Sequence, residues 1–178
     1  MRIIDERELF ERAQKSAAGF GELFDAYYNR IYAYAYRRVG SREIAEDIAA
    51  SVFEDALRGI QRVRWQGKPM VAWLYRIASR RIADFFRDRK DDASLDDGVI
   101  RIDGHVHDSI ERAEEMATVQ RCLKELSAND REIILLAYFD ELSGTEIATI
   151  LNCTANSAYV RLHRALAKLE RAVRDEIG

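Results

Sequence analysis

The chain has 178 residues, 48% of them hydrophobic, which is enough for one large or two small domains with real cores and excludes a disordered polypeptide. Its formal net charge is only -3 and its pI near 5.7, which excludes a protein that coats nucleic acid by charge alone; any such contact has to be local. No apolar run approaches the ~20 residues of a membrane span, MRIIDERELFERAQ lacks a signal-peptide core, and Cys122 and Cys153 stand far apart with no CxxC, so a cytoplasmic chain without membrane insertion and with both thiols buried is expected.

Taken in order, almost every segment has helical period, the only proline is Pro69, and no strand alternation stands out, so an all-α fold is expected. Asp5 to Gln14 reads as a short amphipathic helix with Leu9, Phe10 and Ala13 inward. A second helix carries Phe20, Leu23, Phe24, Tyr27, Tyr28, Ile31, Tyr34 and Ala35 at helical spacing, an aromatic stripe that reads as core. Ser41 is placed to cap a third helix with Ile44, Ile48, Val52, Phe53, Ala56 and Leu57 on the buried side and Glu43, Glu46, Asp47, Ser51, Glu54 and Asp55 outside. That acidic face is either a solvated surface or a docking face for a basic partner helix, and the pattern does not separate the two.

Between Gly59 and Lys68 a loop carries Arg62, Arg64, Trp65 and Lys68, a mixture suited to tracking a nucleic-acid backbone and stacking an unpaired base; Trp65 reads equally as a lid on the core. Pro69 fits the first position of the next helix. There Leu74, Ile77, Ala78 and Phe85 mark the inner side, and Arg76, Arg80 and Arg87, with Arg81 nearby, form a basic stripe suited to phosphates.

Composition shifts at 91–109, an acidic run with Gly and Ser that reads as a flexible linker. Its His105 and His107 have no accompanying Cys or carboxylate constellation and read as incidental, so neither a metal nor a cofactor is expected. Ile110 to Leu126 resumes a helix, and Ser127 to Asp130 reads as a capping box before REIILLAYF.

The last stretch, Ser143 to Arg171, is the most specific. Ser143 and Glu146 form a second capping box, Leu142 and Ile147 a hydrophobic staple, and Asn152 is suited to the left-handed turn that ends the short helix. Thr154 then caps a longer basic helix with Ala158, Leu162, Ala165, Leu166 and Leu169 on one face. Short helix, tight turn and basic helix make a helix-turn-helix pattern, whose second helix enters the major groove with its N-terminal residues against base edges. Asn156, Ser157 and Tyr159 have the chemistry for bases or phosphates, and Arg161 and Arg164 suit phosphate or guanine. An amphipathic hairpin with a solvated basic face is the competing reading.

The order FGELFDAYYNRIYAYAYRRVG, AEDIAASVF, WLYRIASRRIADFFR, SANDREIILLAYFDELSGTEIATIL and RLHRAL closely resembles the extracytoplasmic-function (ECF) class of bacterial RNA polymerase sigma factors over nearly the whole chain. The resemblance implies an N-terminal sigma domain at 1–90, a linker at 91–109 and a C-terminal helix-turn-helix domain at 110–178. It implies a transcription initiation factor that binds core RNA polymerase and directs it to promoter DNA. Docking on the clamp helices of the largest subunit would fall to Glu46, Asp47, Ala50, Ser51 and Glu54, and the C-terminal domain would meet the flap region. The -10 element would be melted and read by Arg62, Trp65, Arg76, Arg80 and Arg87, and the -35 element read by Thr154, Asn156, Ser157, Tyr159, Arg161 and Arg164. An anti-sigma factor is the further partner it implies.

This chain departs from the family pattern in having Ala50 where Gln is frequent, Ser79 and Arg80 where the family often has an Asn that reads a -10 base, and Tyr159 where Lys is frequent. No nucleophile with a base partner, phosphate-cradling Gly loop or paired carboxylates are evident, so no enzyme activity is expected. Two other classes are an autonomous helix-turn-helix regulator, for which no heptad dimerisation seam is visible, and a sigma mimic that sequesters an anti-sigma factor, for which loss of the basic residues would be expected.

Overall fold

A computed structural model describes residues 5–89 and 110–178, all of whose regular structure is helical. The chain divides into two compact units, Met1–Ser94 and Leu95–Gly178. The expected linker at 91–109, with His105 and His107, lies outside the described residues. No described helix is long and apolar enough to cross a membrane.

In the first unit, α1 (Glu6–Lys15) begins where Asp5 Oδ1 accepts from the Arg7 and Glu8 amides, and Leu9, Phe10 and Ala13 are buried as their spacing predicts. Ser16 ends α1 and caps α2 (Ala17–Val39), accepting from the Gly19 amide at 3.0 Å. The two helices touch so closely there that a Cβ on Gly19 would stand 2.1 Å from the Arg12 carbonyl oxygen. Gly40, at φ 70°, closes α2 in the left-handed conformation, and Ser41 caps α3 (Arg42–Gly59). A 3₁₀ turn, Ile60–Arg62, leads into the loop before α4 (Met70–Arg89). Pro69 stands just ahead of that helix rather than inside it, its carbonyl accepting from the Ala72 amide.

Leu23, Ile31, Val52 and Leu74 are fully buried, each worth ~1.5–3 kcal/mol of burial. Tyr34 and Tyr75 meet in the middle with ring centroids 4.5 Å apart. The aromatic stripe is only partly core: Phe24 and Tyr28 are half-buried, and Tyr28, Tyr32 and Tyr36 stack along the outside of α2 at 6.4 and 6.0 Å. Ile77 and Phe85 are likewise half-buried. Leu57, expected inside, is 53% exposed, because it follows Ala50 and Glu54 on the outward line of α3.

In the second unit, α5 (Ile110–Glu125) and α6 (Ala128–Ile134) lead into a π turn, Leu135–Phe139, closed by the Asp140 amide donating to the Leu135 carbonyl at 2.9 Å. Ser127 caps α6, but its box is incomplete: the Asp130 carboxylate accepts from the Ser127 hydroxyl and from Lys168 instead of the Ser127 amide. The helix-turn-helix follows as α7 (Gly144–Ile150) and α8 (Ala155–Ile177). Cys122 is buried, whereas Cys153, in the turn between these helices, is half-exposed, correcting the expectation that both thiols are inside.

Candidate nucleic-acid interfaces and docking face

The α7–turn–α8 unit is held by local chemistry. Ser143 Oγ accepts from the Glu146 amide at 3.3 Å, and Glu146 Oε2 returns to the Ser143 amide at 2.6 Å, the full capping box the sequence predicts. Leu142 and Ile147 are both buried, and Asn152 adopts φ 50°. Thr154 Oγ1 accepts from the Ser157 amide and donates to Ser157 Oγ, both at 3.1 Å, so the Thr154 hydroxyl is occupied in capping.

Around α8, Ser157, Arg161 and Arg164 share one flank at i, i+4 and i+7, and Asn156, Tyr159 and His163 share the other. Val160 lies between them, 37% exposed, and Tyr159 is 68% exposed. Val160 and His163 are the residues that the sequence reading passed over; counting four onward from Asn156 and Tyr159 finds both. Along the helix Lys168 is held by Asp130 and Arg174 by Glu170, whereas Arg161, Arg164 and Arg171 are exposed without a carboxylate partner among the described residues. The first turn of α8 has no acidic residue to neutralise its positive end. A negatively charged polymer therefore finds free charge at the N-terminal half of this helix.

In the first unit, Arg62, Trp73, Ile77 and Arg80 line an open groove of about 510 Å³ together with Asp55, Arg58, Arg81 and Asp84. Arg62 and Arg80 are exposed and make no ion pair among the described residues. Trp65 does not line this groove: it is half-buried against Phe10, ring centroids 5.6 Å apart. The aromatic surface there belongs to Trp73, which the sequence reading did not single out and which packs over Gly59. Arg76 is exposed on α4 outside the groove, and Arg87 is paired with Asp84 at 2.7 Å, so the basic stripe is not continuous. Arg81, too, is engaged, with Asp55.

On α3, Glu46, Asp47, Ala50 and Glu54 are exposed and Ser51 is half-buried. Glu54 pairs with Arg58 at 3.0 Å; Glu46 and Asp47 make no ion pair among the described residues. Asp47 and Ser51 line a groove of about 270 Å³ with Ile44, Ile48, Arg81, Asp84, Phe85 and Asp88. Leu57 extends this acidic face with an apolar side chain.

Residues 23–91 match the family model described as Sigma-70 region 2, and residues 116–169 that described as Sigma-70, region 4. The ECF RNA polymerase sigma factor SigW of Bacillus subtilis is 33% identical over 168 residues, 88% of this chain and 89% of that one. The chain belongs to the ECF sigma factors. It is a promoter-directing sigma factor of this class. The ECF RNA polymerase sigma factor BldN of Streptomyces coelicolor is 30% identical over 174 residues, 95% of this chain; the sigma factor described here spans 66% of that relative's length. Among solved structures, the sigma factor RpoE of Bartonella quintana in complex with the anti-sigma factor NepR shares the fold at a TM-score of 0.67 and 21% identity, over 87% of this chain and 96% of that one.

Proposed function

We propose that this sigma factor divides its work among the surfaces described above. The N-terminal half of α8 reads the -35 element, with Arg161 and Arg164 on phosphate or guanine, Asn156, Ser157 and Tyr159 beside them, and Val160 and His163 added to the face; Thr154 supports it as the cap. The Arg62–Trp73–Arg80 groove takes an unstacked base of the -10 element, with Arg76 and the loop as backbone contacts. Exposed Glu46, Asp47 and Glu54, with Ala50 and Ser51 between them, dock on the clamp helices of the largest polymerase subunit, and the C-terminal domain meets the flap region. The domains are 1–90 and 110–178 with a linker at 91–109, the setting is the cytoplasm, the role is not enzymatic, and an anti-sigma factor restrains it, as NepR accompanies the Bartonella relative.

The observation that carries this reading is the sorting of unpaired charge. Free cations stand at the recognition helix and the α4 groove, and free carboxylates on α3, in a chain whose net charge is only -3. Unstacking a base from duplex costs a few kcal/mol, more than so weakly charged a protein recovers alone. Promoter capture therefore depends on polymerase holding the rest.

Run-off transcription with core polymerase on a promoter library tests it. The wild-type chain yields promoter-specific transcripts, and the Arg161→Ala, Arg164→Ala double variant loses them. Specific DNA binding without polymerase, and no transcripts with it, would instead favour an autonomous regulator. Binding of neither would favour the sequestering mimic.

A further inference from the structure

We propose that the last turn of α1 is a positioning element for the -10 groove, with Gln14 as the residue that sets the groove's loop. The inference rests on the -10 reading of that groove. Gln14 Nε2 donates to the Ile60 carbonyl at 2.7 Å and to the Val63 carbonyl at 2.9 Å, reaching across 46 and 49 residues of sequence. Gln61 Nε2 returns the contact by donating to the Gln14 carbonyl at 2.6 Å. The two carbonyls that Gln14 holds bracket Arg62, whose side chain lines the groove. Just beyond, Trp65 leans on Phe10 of the same helix.

A primary amide supplies two N–H donors, so Gln meets both carbonyls at once. A glutamate would face them with acceptors only, and a methionine would keep the length and lose both bonds. Holding α1 in place does not need Gln14. That is done by buried Leu9, Phe10 and Ala13, by the close approach at Gly19 and by the Arg12–Glu22 ion pair at 2.9 Å. Gln14 is thus spent on the loop. Losing both bonds frees the loop, and a loop free to shift no longer presents Arg62 and Trp73 to the same base.

The test compares opening rates and -10 discrimination of polymerase assembled with the wild-type chain, Gln14→Met, Gln61→Ala, Arg12→Ala and the Arg62→Ala, Arg80→Ala double variant, on promoters matched or mismatched at -10 or at -35. Gln14→Met is expected to slow opening roughly tenfold and to narrow -10 discrimination, while core binding and -35 discrimination stay as in wild type. Gln61→Ala, which removes one bond from an exposed side chain and leaves the fold intact, gives a smaller effect of the same kind. Arg12→Ala, which loosens α1 on α2 without touching the loop, lowers thermal stability but not -10 discrimination. Wild-type discrimination in Gln14→Met, with discrimination lost in the arginine double variant, overturns the positioning role alone. Unchanged discrimination in the arginine double variant overturns the -10 reading and this inference with it.

Discussion

Arg81 on α4 holds Asp55 on α3, its Nε donating to Asp55 Oδ2 at 2.7 Å while Arg58 approaches the other carboxylate oxygen at 3.2 Å. This cross-helix pair lines the groove with Arg62 and Arg80, so the contact that ties α4 to α3 also engages Arg81 and Asp55 with each other, while Arg62 and Arg80 make no ion pair among the described residues.

The Arg81 hydrogen bond, outweighing burial of the carboxyl, holds Asp55 below its ordinary value of 3.8, and Lys168 with Ser127 does the same for Asp130. For a group whose folded value is depressed, the stabilisation is complete above the unfolded value and is lost as pH falls through the folded one. Unfolding free energy should therefore hold above about pH 5 and decline below the ordinary value of 3.8. Asp55→Asn should lose about 1 kcal/mol at neutral pH, below the ~1.5–3 kcal/mol of a charged hydrogen bond because both side chains keep contact with water, and should decline less steeply in acid. Urea melts of both proteins between pH 3 and 7 check this; parallel curves would remove Asp55 as a source of the acid sensitivity.

Gly19→Ala sets two effects against each other. Helix propensity favours alanine by up to ~1 kcal/mol, whereas a Cβ 2.1 Å from the Arg12 carbonyl oxygen forces α1 off α2, an overpacking cost of ~1–3 kcal/mol. The obstacle is backbone, which cannot rotate aside, so the clash should win. A lower urea midpoint for Gly19→Ala is expected, with Gly21→Ala, whose site is open, unchanged or slightly more stable.

Helix existence, caps and the helix-turn-helix were legible because their determinants are local: Ser41, Ser143 and Thr154 cap the helices that follow them, and Asn152 turns where the pattern asks. What was not legible is decided by contacts distant in sequence. Trp65 or Trp73 as the groove aromatic depends on how Phe10 and Gln14 seat the loop, and Arg81 leaves the basic stripe only because α3 brings Asp55 to it. Leu57 is a different case. Counting from Ala50 places it outside, but hydrophobicity argued for inside, and the helical period prevailed.

The two thiols should separate cleanly. Cys122 is buried, and that burial, with Glu176 and Glu125 adding to it, pushes its thiol upward, so little thiolate forms and no reagent reaches it. Cys153 is half-exposed in the α7–α8 turn. Under native conditions a maleimide should label Cys153 alone, and Cys122 should react only as urea unfolds the second unit. Peptide mass mapping checks this; native labelling of Cys122 first would mean that α5 opens readily.

The exposed side chain of Leu57, on the same outward line of α3 as Ala50 and Glu54, makes a prediction about polymerase docking separable from that of unpaired Asp47 nearer the start of the helix. An apolar residue at the edge of a charged face contributes through contact with the partner, and charges contribute mainly to encounter rate and salt dependence. Leu57→Ser should lower the urea midpoint only slightly, through the covered half of the side chain and the weaker helix propensity of serine, yet weaken binding to core polymerase by about 1 kcal/mol, expressed as faster dissociation at any salt. Asp47→Lys should slow association by about tenfold at low salt and much less at high salt, because screening shortens the reach of the charge. Surface-immobilised core polymerase with the chain in solution resolves the two rates. Equal affinities for Leu57→Ser and wild type would confine the docking face to the acidic residues, and an Asp47→Lys effect indifferent to salt would contradict an electrostatic role for it.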